Sequence, residues 1–292
     1  MTLVTVRTEL RRRSTALSTG CDGIVVRMSR FRSLLVSTPR LSSMALAKVA
    51  SVGLTMARMA LPGMILLGMV VAPVSASEFT FARLAHVSND GGGWPRWQAD
   101  WPHAEEHFGA GLSRLTTIDV AESGVVVDLQ SDSVFDYPWL YAVEVGALAL
   151  SASETYRLRE FLLRGGFLLV DDFHGVVEWR GFEQAIRRVF PERPILDLDD
   201  RAEPFHVLYD LSEREQIPGI RPLMQGRTWE KGGRHPVWRG IIDDEGRVMV
   251  AINHNQDLGD AWEHADDVRY PEPLTAAAYR LGVNYVVYAM TH

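Results

Sequence analysis

Seven polar residues follow three segments that read as buried strands. Glu144 comes after 139–143, Asp172 and His174 after 167–170, and His254, Asn255, Asp257 and Asp260 after 247–252. Parallel strands all open at one edge, and ligands of open α/β sheets bind at that carboxyl edge. Carboxylates and imidazoles gathered there have two chemical uses: ligating a divalent ion, or acid–base work with one pKa raised by a like charge. For an ion, Asp172, His174 and His254 are the first donors the sequence offers, although no motif specifies a metal. The competing use is structural, because Asp and Asn after strands also cap the next helix and satisfy turn backbone. Each residue alone fits that structural use better, and only the group as a whole suggests a ligand site.

Other chemistries are disfavoured. Cys21 is the sole cysteine, so 77–292 has no thiolate nucleophile. There is no Gly-x-Ser-x-Gly elbow and no Gly-x-x-x-x-Gly-Lys loop. His103-Ala-Glu-Glu-His107 places two histidines one helical turn apart, as two zinc ligands require, but it follows Pro102 and reads better as an exposed acidic helix start. Trp94, Trp97 and Trp101 crowd one loop, with Trp179, Trp229, Trp238 and Trp262 further on. Exposed, they would stack on sugars or grip a partner; the reading favoured here is that they pack loops onto the sheet.

The elements that position these groups are most compressed at 156–174. Leu158, Phe161 and Leu162 make an apolar helix face, Gly165-Gly166 stops it, and 167–170 is apolar throughout, as a strand covered on both faces must be. Ser151 and Glu154 form a capping box ahead of that helix. Further strands are expected at 79–87, 125–127, 139–143 and 247–252, with an edge strand at 194–198. Helices are expected at 102–115, 179–190 and 274–290, and 199–240 reads as a long loop-dominated excursion. Strands alternating with helices predict a three-layer α/β domain on a mostly parallel sheet.

The amino terminus differs from the rest. Residues 1–76 hold ten of the 30 basic residues and two acids, leaving 20 basic and 35 acidic residues, a net −15, in 77–292. A charged start at 56–59, an apolar run at 61–71 and Ala72-Pro-Val-Ser-Ala76 fit a secretory signal peptide cleaved before Ser77. The alternative is a membrane anchor through 59–76. Residues 1–55 read as an extension upstream of an internal start such as Met44 or Met56, or as a disordered basic tail. The mature chain would thus be one exported domain, 77–292, stabilised without disulfides. Its acidity argues against nucleic acid, since that binding rests on phosphate neutralisation. An unidentified protein or small molecule is the expected partner.

Several ordered blocks carry a family resemblance across 79–292: Asp100-Trp-Pro102, Asp136-Tyr-Pro138 with Tyr141-Ala-Val-Glu144, 158–172, Asn255-Gln-Asp-Leu-Gly-Asp260 and 281–290. Together they resemble the bacterial domain of unknown function numbered 4159. The resemblance implies a flavodoxin-like domain similar to class I glutamine amidotransferases, and it brings no activity with it. With no nucleophile, the expected role is ligand or protein binding, or scaffolding. The rival is a metal-assisted hydrolase built on Glu144, Asp172, His174, His254 and Asp257.

Overall fold

The computed structural model describes residues 78–292. The expected signal segment and the 1–55 extension lie outside them. The strands are β1 (Ala82–Ala85), β2 (Val87–Ser88), β3 (Val125–Asp128), β4 (Trp139–Val143), β5 (Leu148–Ala149), β6 (Phe167–Asp171), β7 (Leu196–Asp197), β8 (Val237–Ile242) and β9 (Val248–His254). The helices are α1 (His103–Leu115), α2 (Ala152–Leu163), α3 (Gly175–Val189), α4 (Ile220–Met224), α5 (Leu258–Glu263) and α6 (Glu272–Thr291). One seven-stranded sheet has the order β3-β1-β4-β6-β9-β8-β7, and β2 with β5 forms a separate antiparallel pair.

The first five strands of the large sheet are mutually parallel. Strands β4, β6 and β9 are therefore neighbours whose carboxyl ends share one edge. All three are buried along their whole length, which matches their unbroken apolar runs. The core has two halves, one on each face of the sheet. Phe161 and Leu162 of α2 and Phe182 and Ile186 of α3 pack on one face. Phe108 of α1, Trp262 of α5 and Leu281 and Tyr285 of α6 pack on the other. This is the α/β layering expected. The capping box is also formed: Ser151 Oγ accepts from Glu154 N, and Glu154 Oε2 accepts from Ser151 N.

Two expectations need correcting. Residues 237–242 are not loop but strand β8, antiparallel to β9. Its sequence Val-Trp-Arg-Gly-Ile-Ile mixes a charge and a glycine into the apolar run, and ladder pairing with β9 overrides that weak local signal. Helix α3 begins at Gly175 rather than at 179, with Val176 and Val177 exposed in its first turn. No helix of the described residues is long and apolar enough to cross a membrane.

A carboxylate-lined cleft at the sheet edge

The loop after β1 supplies one wall of the site, and buried charge holds it there. Arg83 points into the core from β1 and pairs with Glu105 of α1, both closed off from solvent. The same guanidinium donates to the carbonyls of Trp97 at 3.1 Å and Ala99 at 2.8 Å. Asp100, next in the chain, is thereby fixed over the sheet edge with φ +61°. Glu144 after β4 and Asp172 after β6 take the same left-handed conformation, at +50° and +49°. Non-glycine residues adopt it uncommonly, and such residues cluster at functional sites.

These turns open onto a cleft of about 710 Å³. Asp100, Glu144, Asp172, Asp257 and Asp260 line it, with Glu230, Glu263, Arg96, Arg221 and Trp94 around them. One ligating oxygen each from Asp100, Asp172 and Asp257 falls within 4.8 Å of the others. Asp172 is 8 % exposed and Asp257 4 %. Asp100 Oδ2 is shut off from solvent and has no hydrogen-bond partner. Asp257 also caps α5, accepting from Asp260 N at 2.8 Å. Asp260 Oδ2 accepts from Ile220 N at 2.6 Å, which draws the excursion over the cleft. Two glycines make room. A Cβ on Gly219 would stand 2.7 Å from Asp257 Oδ2 and 2.9 Å from both Asp260 Oδ2 and Glu230 Oε1. On Gly259 it would stand 2.2 Å from Asp100 Oδ2.

Burial and mutual repulsion raise the pKa values of several carboxyls in and beneath the cleft. Asp100 and Asp257 rise well above the usual range, through burial first and then the charges of Asp172 and Asp260. Glu144 is pushed up to about 7 by burial and the charge of Asp172. Asp171, wholly buried beneath, also reaches about 7 through burial and Asp172. It accepts from Tyr141 Oη at 2.9 Å and Leu258 N at 2.7 Å, so it ties β6 to β4 and to the start of α5.

Four of the seven expected site residues therefore line the cleft: Glu144, Asp172, Asp257 and Asp260. His174 sits behind them, 2 % exposed, with Nε2 3.3 Å from Asp172 Oδ1. Burial opposes its charge, but the hydrogen bond and charge of Asp172 outweigh it and raise the pKa. His254 and Asn255 do other work. The His254 ring lies against Phe173 and Trp179, its Nε2 3.1 Å from Gly175 O. Burial lowers its pKa to about 4. Asn255 bridges the turns, accepting from Gly175 N at 2.8 Å and donating to His235 O at 2.7 Å.

Of the paired histidines of α1, His103 is exposed and beside Glu106, while His107 Nδ1 lies 3.0 Å from Trp262 O. Trp262 is fully buried and Trp238 stacks on Arg214, whereas Trp94 stays 50 % exposed and Trp101 42 % exposed. Sequence reasoning missed Asp100 as a site residue. Its only signal was its place in the Asp-Trp-Pro block.

Asp100, Glu144, Asp172 and Asp257, drawn from separate sequence blocks, thus meet around one cleft. The family profile for a domain of unknown function, DUF4159, matches residues 80–290. The chain belongs to this family. Comparison with curated proteins finds no match. In this DUF4159 domain, the matched region takes in the whole sheet and every residue lining the cleft.

Proposed function

We propose that the cleft binds a hard divalent cation through Asp100, Asp172 and Asp257, and that the domain is a cation-dependent ligand-binding module. One observation carries the reading: three carboxylates converge within 4.8 Å, and Asp100 Oδ2 lies buried without a donor. Buried carboxylates without a counter-charge are costly, and an all-oxygen donor set suits Mg²⁺, Ca²⁺ or Mn²⁺. A hydrolase reading would need His174 as base toward a ligand in the cleft. With 2 % exposure behind Asp172, that ring is placed to orient the carboxylate instead.

The parallel strands alone, numbered along the chain, run 2-1-3-4-5 across the sheet, which supports a flavodoxin-like class. The apolar run at 61–71 and the Ala72–Ala76 cleavage pattern support export. Amino-terminal sequencing of secreted protein tests that part, and a start well before Ser77 refutes it.

Calorimetric titration of chelator-stripped protein with calcium, magnesium and manganese chlorides tests the site. One ion per chain is expected, with at least a tenfold loss of affinity in Asp172→Asn. Absence of uptake of all three ions at millimolar concentration refutes the reading.

A further inference from the structure

Trp94 stands at the cleft wall, half exposed. The loop from Asp90 to Arg96 is closed by the ion pair of its own ends, Arg96 Nε donating to Asp90 Oδ2 at 2.7 Å. Asp90 Oδ1 also accepts from Gly92 N at 3.2 Å. Arg96 then reaches across to Glu144 at 3.5 Å, so the loop is anchored to the cleft itself. An indole with a free face on such a closed loop is a stacking platform, and its surface is flat and apolar.

The rest of the cleft selects what stacks there. Seven carboxylates face two guanidiniums, a formal charge of −5, and a divalent ion leaves it at −3. A phosphorylated or carboxylated ligand would enter against that field. An amine would be drawn by the field, but as an ammonium it has no lone pair for a hard cation, whose open positions take oxygen ligands. Three protein carboxylates leave such positions on an ion that takes six to eight oxygens, as Ca²⁺ does. A pyranose meets both demands, offering vicinal hydroxyls to the ion and a face of C–H groups to the indole.

We infer that the ligand of this cleft is a neutral saccharide, held by Trp94 stacking and by hydroxyl ligation to the cation at Asp100, Asp172 and Asp257. The inference rests on the cation reading above and deepens it. Two independent features point to a ligand: the solvent-excluded, unpartnered Asp100 Oδ2 beside the buried Asp257 at the cleft, and the half-exposed indole of Trp94 on its wall.

The test begins with calcium alone, titrated into the chelator-stripped full chain. The calcium-loaded protein is then applied to an array of neutral glycans, and any retained glycan is titrated by calorimetry. Glucose 6-phosphate and spermine serve as anionic and cationic competitors. Retention of a neutral glycan is expected, with affinity falling at least tenfold in EDTA and in Trp94→Ala. The exposed Tyr156→Ala variant on α2 should bind as the wild type does. If calcium does not bind, this inference falls, and the cation reading falls with it only when magnesium and manganese also fail to bind. If calcium binds and no neutral glycan is retained, the saccharide alone is refuted. Undiminished binding in Trp94→Ala or in EDTA, or tighter binding of glucose 6-phosphate or spermine, overturns it equally.

Discussion

Replacing Asp100 by Asn should stabilise the cation-free protein while abolishing its response to calcium. At 4.8 Å and an effective dielectric of about 20, two carboxylates repel by about 3.5 kcal/mol, so Asp100 facing Asp172 and Asp257 would incur about 7 kcal/mol if all were charged. The alternative is to take up a proton. For a carboxyl with an unfolded pKa near 3.9, that costs about 4 kcal/mol at pH 7 and about 1.5 kcal/mol at pH 5. The cheaper route wins, in keeping with the strongly raised pKa of Asp100. An amide is neutral without a proton, so Asp100→Asn should gain up to about 4 kcal/mol at pH 7 and up to about 1.5 kcal/mol at pH 5. No native hydrogen bond to Oδ2 is lost, since that atom has none.

The sign follows from linkage. Above its unfolded pKa the folded state holds the extra proton, so wild-type stability falls as pH rises from about 4 toward the raised folded value. Urea unfolding in EDTA at pH 5 and pH 7 measures both quantities. Calcium at about a hundred times its Kd should then add about 2.7 kcal/mol to the wild type and little to the variant. A variant less stable than wild type at pH 7 in EDTA would refute the reasoning, as would an equal advantage at both pH values.

Other substitutions probe the supports of the cleft. Arg83→Met leaves Glu105 buried without its partner and should cost about 3–5 kcal/mol in chemical denaturation, with faster amide exchange at 97–100. Gly219→Ala meets no backbone strain at φ −63°, so its cost is contact with three carboxylates, about 1–3 kcal/mol, together with weaker calcium uptake by calorimetry. His174 should titrate by NMR above 6.5, and Asp172→Asn should bring it below, because burial, the largest influence, then outweighs the charge of Glu230. The stability that protonated His174 contributes is full below pH 6.5 and disappears as pH rises through its raised folded value. A His174 midpoint unmoved by Asp172→Asn would show that the pair is not coupled.

The sequence by itself determined the layered α/β domain and the edge where its polar groups collect. Periodicity, the capping box and the double-glycine stop act over a few residues, so they are legible without a partner strand. The runs at 139–143, 167–170 and 247–252 are apolar on both faces, which already implies cover on both sides. Glu144, Asp172, Asp257 and Asp260 were legible for the same reason, each lying one to eight residues beyond such a run. Strand β8 was not, because its identity comes from pairing with β9 rather than from its own pattern. Only tertiary structure decided which polar residues face the cleft. His254 and Asn255 end the same strand as Asp257, yet they turn to Gly175 and His235, since side-chain direction at a turn depends on what packs beside it. Asp100 arrives from a loop that Arg83 holds by backbone carbonyls, a contact that spacing cannot encode. The sequence supplied the carboxylates one strand end at a time. Their convergence within 4.8 Å depends on strand order and on two glycines that leave the space open.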